Sequence, residues 1–213
     1  MCSFFQNKET GESIFTKLKK VSGGNFEIEV SDNLTQKKIA PTNKVITITT
    51  KAPNEYKIGE MTWGIQFGGE KKSHPIYNSR IETIKEKPYW QNLFNKNRCL
   101  LPATGFYEWT VIENTKIPHL ISMKEGLFFM PSIFVNIDGG LRASIITVPP
   151  NEFMLDVHNR MPVLIRLEHC LDYICSKPEE AIKYCEPYAN GEDMSIEIAE
   201  ELLTVKQREV LGR

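Results

Sequence analysis

The chain has 213 residues and a formal net charge of −1; apolar residues make up 41% of it and charged residues 25%. This length suits one domain, and the composition is that of a globular protein rather than a disordered or membrane-spanning one. No apolar run reaches the roughly 20 residues that cross a bilayer and the start lacks a secretory pattern, so we expect a cytoplasmic protein. The near-neutral charge gives no bulk attraction to nucleic acid, although it allows a local basic groove.

The five cysteines have irregular spacing, which argues against a disulfide framework. Metal binding by the C-terminal cysteines and a neighbouring histidine would lack paired ligand spacing, so we expect no metal site and no cofactor. Cys2 is distinct, because removal of Met1 would make it the N-terminus. The other four lie among apolar residues, where buried thiols are usual: Cys99, Cys170, Cys175 and Cys185.

The first half of the chain alternates between helical and extended patterns. Residues 12–20 carry apolar side chains at helical spacing and predict an amphipathic helix. NFEIEV, KVITITT and MTWGIQF predict strands, because apolar or β-branched residues alternate or cluster in them. KPYWQNLFNKN predicts a short helix with four residues on one side: Tyr89, Trp90, Leu93 and Phe94.

The second half predicts more strands and then helices. CLLPATGFYEW and ASIITV favour strands, and PHLISM with LFFMPSIFV favours a hairpin about a turn at residues 124–126. EHCLDYIC, PEEAIKYC and SIEIAEELL favour helices, with Ser195 as an N-cap. We therefore predict a single α+β domain over residues 1–213, with a mostly antiparallel sheet curled into a pseudo-barrel and flanked by short helices. Its motif-bearing part spans about 2–165 and its helical C-terminal part about 166–213.

Two polar segments interrupt the predicted strands. In NSRIET, an extended chain would place Asn78, Arg80 and Glu82 on one face. In HNRMP the proline favours extended geometry before it, so His158 and Arg160 should also share a face. Two clusters of this kind could serve a polar site.

Glu108 in GFYEW lies between Tyr107 and Trp109. A carboxylate in this setting is either exposed on the opposite face of the strand or desolvated with a raised pKa. Taken singly, each of these polar residues also has an ordinary structural interpretation. Glu108 would be a surface strand residue, His158 a structural histidine and Asn78 a turn residue.

The motifs MC, NSRIET, RCLLPATGFYEW and HNRMPVLI follow one another in the order and rough spacing of a known family. The chain resembles the SOS response-associated peptidase family, the abasic-site-processing proteins of bacteria and eukaryotes. Pro41 in IAPT and Thr147 in IITV are weaker matches. The resemblance runs from Cys2 to about Ile165 and implies a compact α+β pseudo-barrel with a positively charged groove for single-stranded DNA.

The resemblance also implies a chemistry, in which an N-terminal cysteine forms a thiazolidine with the ring-opened aldehyde of an abasic site. It implies that Cys2 is the nucleophile, that Asn78 and Glu108 assist it, and that His158 is a further acid or base. The residues implied to contact DNA are Arg80 and Arg160 at phosphates, with Trp63, Pro41 and Thr147 in the groove.

The chain departs from the family pattern at two places. The family has a proline shortly after its Trp-Gly pair, whereas Gln66 or Phe67 stands there after Trp63, which is either a stacking platform or a core residue. Ser3 and Phe4 replace the Gly-Arg that commonly follows the cysteine. Loss of that arginine should alter DNA affinity and leave the covalent chemistry intact.

Three hypotheses follow. The first is a monomeric protein that crosslinks itself to abasic sites in single-stranded DNA, without a membrane partner. The second is a thiol peptidase with Cys2 as nucleophile, His158 as base and Glu108 or Asn78 as the orienting group. The third is a binding domain in which Cys2 is incidental.

Overall fold

The computed structural model describes residues 3–31, 34–67 and 74–213. Thirteen strands lie within these ranges: β1 (Phe4–Asn7), β2 (Asn25–Ile28), β3 (Gln36–Ile39), β4 (Lys44–Ala52), β5 (Glu55–Trp63), β6 (Asn78–Arg80), β7 (Arg98–Ala103), β8 (Gly105–Ile112), β9 (Thr115–Met123), β10 (Phe128–Ile137), β11 (Gly140–Val148), β12 (Met161–Pro162) and β13 (Met194–Ile198). The α-helices in the same ranges are α1 (Gly11–Val21), α2 (Ile81–Glu86), α3 (Pro88–Lys96), α4 (Cys170–Cys175), α5 (Pro178–Ala181) and α6 (Val205–Val210).

Five strands close into a mixed barrel. Strand β4 pairs with β5 on one side and with β7 on the other, where Ile48 lies opposite Leu100. Strand β10 pairs with β7 and β11. The ring closes because β11 runs parallel to β5, with Arg142 opposite Thr62. Closure removes unpaired edges, and it confirms the predicted α+β fold with a curled, mostly antiparallel sheet.

Short apolar runs in the sequence form the barrel strands and fill its interior. In β4, Val45, Ile46 and Ile48 are buried, and in β5 Ile58 is fully buried. Each such side chain contributes roughly 1.5–3 kcal/mol when it leaves water. The barrel is thus a solid core on which other elements are placed.

A second sheet of five strands, in the order β13-β9-β8-β1-β3, packs beside the barrel. Strand β1 runs antiparallel to β8, with Phe4 opposite Tyr107 and Phe5 opposite Phe106. The Phe5 ring meets Trp63 of the barrel edge-on, with 5.0 Å between centroids. The beginning of the chain is therefore fixed against β8 and against the barrel.

The predicted hairpin of residues 118–135 is wrong. The turn exists, with Gly126 at φ +82°, but the strands on its two sides separate after it. Strand β9 pairs with β8 and β13 in the second sheet, whereas β10 pairs with β7 and β11 in the barrel. Each strand instead forms a hairpin with its other neighbour in the sequence, β9 with β8 and β10 with β11. The turn at residues 124–126 therefore joins the two sheets rather than two paired strands.

The predicted helix at SIEIAEELL is also wrong. Its first half is strand β13, which pairs with β9. This pairing provides hydrogen-bond partners for the backbone groups of β9 on the side that does not face β8. Ser195 is not an N-cap; its hydroxyl lies 2.9 Å from that of Ser122 on β9. The helix of this region is α6, which begins after Thr204, and Thr204 forms a capping box with Gln207.

The other predicted helices are present. In α1, Thr10 caps the N-terminus, and Ile14 and Leu18 face the core. In α3, Leu93 is buried as predicted, whereas Tyr89 is 46% exposed. Within the ranges that the structure describes, none of the helices is long and apolar enough to cross a membrane.

Candidate functional site

Two of the predicted polar segments meet at one strand of the barrel, β11. Strand β6, which is the NSR segment, runs parallel to β11 and places Asn78 opposite Ile145 and Arg80 opposite Thr147. Strand β12, which ends the HNRMP segment, lies on the other side of β11 and places Pro162 opposite Thr147. The structure thus brings together segments about 80 residues apart in the sequence.

Asn78 is half-buried at the start of β6. Its two neighbours hold the backbone in place. The carbonyl of Tyr77 accepts a hydrogen bond of 2.8 Å from the indole N–H of Trp63, and the hydroxyl of Ser79 lies 2.8 Å from that of Ser144 on β11. Because Ser79 is buried, this contact stabilises the register that positions Asn78.

Trp63 is a core residue. It has no exposed surface, and its ring packs edge-on against Phe5 and Tyr77 with centroids 5.0 and 5.7 Å away. No face of the ring is open to a base, so of the two alternatives that the sequence left open the structure favours the core residue. Pro41 is half-buried in the adjacent turn, where Thr42 N–H donates to the Trp63 carbonyl at 2.7 Å.

Arg160 is held in a bidentate ion pair with Glu82 on α2. Its Nη1 donates to Oε1 of Glu82 at 2.8 Å, and its Nη2 donates to Oε2 at 3.0 Å. Nη2 also donates to the carbonyl of Thr147 at 2.6 Å. The Arg160 side chain is only 11% exposed, so Glu82 occupies most of the guanidinium fork that we predicted to meet phosphate.

Glu82 is not on the predicted strand face with Asn78 and Arg80. The chain turns into a helix directly after Arg80, and Glu82 lies in the first turn of α2. The ion pair with Arg160 holds the pKa of Glu82 below its usual value. Sequence patterns missed this contact because its partners are 78 residues apart, although both had been assigned to polar clusters.

Arg80 and Thr147 lie opposite each other in register but in different environments. Arg80 is exposed at the end of β6, whereas Thr147 has no exposed surface. Among the described residues, the Thr147 hydroxyl has no hydrogen-bond partner. Arg80 is therefore accessible to an anionic ligand, and the predicted contact of Thr147 with DNA would require access that this structure does not provide.

His158 lies in a turn rather than in extended chain, which corrects the predicted shared face with Arg160. Its backbone N–H donates to the carbonyl of Met154 at 2.9 Å. Its ring Nδ1 accepts the backbone N–H of Arg160 at 3.0 Å. The Arg160 carbonyl lies 3.2 Å from the same nitrogen. The shorter contact with the N–H group requires a free lone pair on Nδ1, which favours the neutral tautomer with its proton on Nε2. Burial lowers the pKa of His158, which favours that neutral form at pH 7.

Glu108 projects toward the interior from the middle of β8, in the second sheet. Side chains alternate along a strand, so it shares a face with Phe106, which has no exposed surface. Glu108 itself is 2% exposed. Burial raises its pKa to about 7, which is the second of the two alternatives that the sequence left open.

Phe4 packs against the protein surface beside β8. Its ring centroid lies 5.7 Å from that of Trp109, and the ammonium group of Lys38 lies 4.6 Å above it. The Phe4 ring therefore occupies the space beside Trp109. At the position of Phe4 the family commonly has an arginine. Lys38 supplies a positive charge to this surface.

Cys2 and Met1 lie outside the described residues, and β1 begins two residues after Cys2. Of the other cysteines, Cys175 is exposed and Cys99, Cys170 and Cys185 are buried. Burial raises the pKa of both Cys170 and Cys185 to about 12, so these thiols stay protonated and unreactive.

Comparison with known proteins identifies relatives of this chain. Abasic site processing protein YobE of Bacillus subtilis is 33% identical over 149 residues, which cover 65% of this chain and 68% of YobE. Abasic site processing protein YoqW, also of Bacillus subtilis, is 32% identical over 169 residues, covering 73% of this chain and 75% of YoqW. A crystal structure of a protein from Bacteroides thetaiotaomicron has the same fold, with a TM-score of 0.75 at 22% identity over 92% of this chain and 91% of that chain. The sequence model of the family named SOS response associated peptidase (SRAP) matches residues 1–204, and the chain belongs to that family.

Proposed function

We propose that this protein processes abasic sites in single-stranded DNA by forming a covalent thiazolidine through Cys2 after removal of Met1. Family membership and the names of its relatives support abasic sites as the target. The observation that carries the proposal is Glu108, a buried carboxyl group with a pKa of about 7. It lies on the strand that pairs with β1, which begins two residues after Cys2.

Chain connectivity brings the proposed nucleophile near this strand. Consecutive Cα atoms are about 3.8 Å apart, so the Cα of Cys2 is within about 7.6 Å of that of Phe4. Phe4 lies opposite Tyr107, the neighbour of Glu108. The proposal therefore places the reaction at the end of β8 where Phe4 pairs with Tyr107.

The chemistry requires both groups of an N-terminal cysteine. Its α-amine has an ordinary pKa of about 7.7–8.0, so about a tenth of it is the free base at pH 7. The amine attacks the aldehyde carbon of the opened sugar, and the resulting carbinolamine loses water to give an imine. The thiol then adds to the imine carbon, its proton passes to nitrogen, and a five-membered ring closes with net release of one water.

Glu108 supplies the proton transfers. In its neutral form it protonates the departing hydroxyl of the carbinolamine, and in its ionised form it accepts the proton that the amine loses. A carboxyl group with a pKa of about 7 is populated in both forms at neutral pH. An exposed glutamate would be ionised and could serve only as a base.

Asn78 and His158 orient the sugar and assist its opening. The Asn78 amide can both donate and accept hydrogen bonds, and the neighbouring Ser79–Ser144 contact fixes its position. His158 presents an Nε2–H donor, because its Nδ1 is engaged by Arg160. A donor of this kind can protonate the ring oxygen or hold the sugar hydroxyl.

The DNA backbone would be held by exposed cations near β11. Arg80 is accessible at the end of β6, and a guanidinium group suits phosphate. With a net charge of −1, binding depends on such local groups rather than on the charge of the whole chain. We expect a monomer to suffice.

A denaturing gel with a labelled single-stranded oligonucleotide that carries one abasic site tests this proposal. We expect a shifted band for the wild type without any reductant. Cys2→Ala keeps the α-amine and should give a band only after borohydride traps the imine. A variant with one alanine inserted before Cys2 keeps the thiol but moves the amine, and it should give no thiazolidine.

Two outcomes would oppose the proposal. Absence of a Cys2-dependent band would exclude the crosslinking function. Peptide hydrolysis that survives insertion of the alanine would favour the thiol peptidase instead, because that mechanism needs the thiol and not the amine.

A further inference from the structure

Glu82 connects two parts of the structure that are far apart in the sequence. It projects from the first turn of α2, and its carboxylate meets both terminal nitrogens of Arg160, just before β12, at 2.8 and 3.0 Å. The carbonyl of Thr147 on β11 takes a further Nη2 hydrogen bond at 2.6 Å. The guanidinium group therefore connects α2, β11 and the turn that precedes β12.

The position of this guanidinium group is almost fully determined. Both Nη2 hydrogens and one Nη1 hydrogen have acceptors, and Nε is buried without a hydrogen-bond partner among the described residues. The side chain is 11% exposed. The planar fork of arginine matches a carboxylate in two parallel bonds, which fixes orientation as well as distance.

The backbone of Arg160 contacts the imidazole ring of His158. The Arg160 N–H donates to Nδ1 of His158 at 3.0 Å, and the Arg160 carbonyl lies 3.2 Å from the same nitrogen. A shift of the Arg160 backbone would change both the ring orientation of His158 and the nitrogen that carries its proton. The ion pair, the turn and the imidazole therefore form one connected unit.

We propose that Glu82 is a positioning residue, which acts through Arg160 to hold His158 in one ring orientation and in the Nε2–H tautomer. The contribution of His158 to catalysis rests on the proposed function, whereas the tautomer itself does not. Glu82 is 46% exposed, and exposed ion pairs contribute only about 0–1 kcal/mol to stability. The pair should therefore matter for geometry more than for the free energy of unfolding.

The test uses Glu82→Gln in the full chain, with Glu125→Gln as the matched control. Glu125 is 48% exposed and also pairs with an arginine, Arg166, at a different corner of the protein. Nitrogen-15 chemical shifts of the histidine rings report the tautomer, and His158→Gln assigns the signal. We expect the wild type and Glu125→Gln to show Nε2–H, and Glu82→Gln to show a mixture of tautomers.

Crosslinking kinetics give a second readout. Glu82→Gln should lower the crosslinking rate at saturating DNA about tenfold, as small misplacements of reacting groups do. Its affinity for uncleaved abasic DNA should be unchanged or tighter, because a negative charge is removed. In an Arg160→Gln background, Glu82→Gln should have no additional effect, since Glu82 acts through Arg160.

A wild-type tautomer and wild-type rate in Glu82→Gln would overturn the proposal, as would full additivity with Arg160→Gln. A parallel loss of rate and affinity would also oppose it, since that indicates general disruption. If the wild type forms no adduct, the proposed function fails, and the tautomer measurement still decides the role of Glu82.

Discussion

Glu82 and Glu108 are both glutamates, but they lie in opposite environments. Glu82 is half-exposed on α2 and paired with Arg160, which holds its pKa below the usual value. Glu108 is 2% exposed on β8, and burial raises its pKa to about 7. The first is a permanent anion that can orient a cation, whereas the second can exchange a proton at neutral pH.

The comparison shows that the environment assigns the role of a carboxyl group. An ion pair stabilises the charged form, and desolvation disfavours it. Two carboxyl groups whose pKa values are driven apart in this way can divide positioning and proton transfer between them.

The same substitution should have very different consequences at the two positions. Glu108→Gln removes the group that transfers protons, so the crosslinking rate should fall about 10²- to 10⁴-fold. The expected loss for Glu82→Gln is about tenfold. Single-turnover rates at saturating abasic DNA measure both, and equal losses would break the distinction between the two carboxyl groups.

Stability should depend on pH in opposite directions at the two positions. Folding raises the pKa of Glu108, so its stabilising effect is complete below about pH 4.5 and is lost as the pH rises through 7. Glu108→Gln should therefore gain about 2–3 kcal/mol relative to the wild type between about pH 5 and pH 8. The free energy of unfolding in urea, measured for both proteins at pH 5 and at pH 8, gives this difference.

Folding lowers the pKa of Glu82, so its contribution is present above the unfolded pKa and is lost as the pH falls. Glu82→Gln should accordingly lose stability at about pH 8 by no more than about 1 kcal/mol.

A pH-independent difference between Glu108→Gln and the wild type would contradict the burial of an ionisable Glu108.

Arg80 should contribute to the salt dependence of DNA binding. Arg80→Gln should reduce the slope of log affinity against log salt by about 0.7, as expected for one phosphate contact on single-stranded DNA. Arg208→Gln is the matched control, because Arg208 is a partly exposed arginine on α6 that pairs with Glu200. An unchanged slope for Arg80→Gln would remove Arg80 from the DNA interface.

Phe4→Arg should produce the smallest effect. It restores the arginine of the family pattern in place of a ring that packs on Trp109. We expect DNA affinity to rise modestly, by about the contribution of one added phosphate contact, with the same adduct yield at saturating DNA. Unchanged affinity in a binding titration would show that this position lies outside the DNA path.

The sequence predicted most of the barrel because its strands carry their own pattern. β-Branched runs such as KVITITT form strands wherever they find a partner, and Leu93 and Leu18 lie on the predicted helical faces. The wrong predictions concern partners rather than patterns. β9 and β10 separate because each forms a hairpin with its other neighbour, β8 and β11. The strand at Ser195 cannot be read from local residues, because its partner β9 lies about 70 residues earlier in the chain.

The candidate site shows the same limit. The motif residues at β6, β8 and β12 were identified from their types and order, but their environments were not. Trp63 is a core residue because of Phe5 and Tyr77, and Arg160 is engaged because of Glu82. Strand alternation alone does not decide the burial of Glu108, because Tyr107 on the opposite face of β8 is buried as well. Its environment becomes known only when the pairing of β8 with β1 and β9 is known.

Thiazolidine formation at Cys2 can be measured from the intact mass of the purified protein before and after exposure to a single-stranded oligonucleotide with one abasic site. We expect a starting mass without Met1, and a product equal to protein plus oligonucleotide minus one water. This product should form without a reductant and be absent when an alanine precedes Cys2. A protein that lacks Met1 and gains no oligonucleotide mass would contradict the account, as would an adduct formed equally well after the insertion.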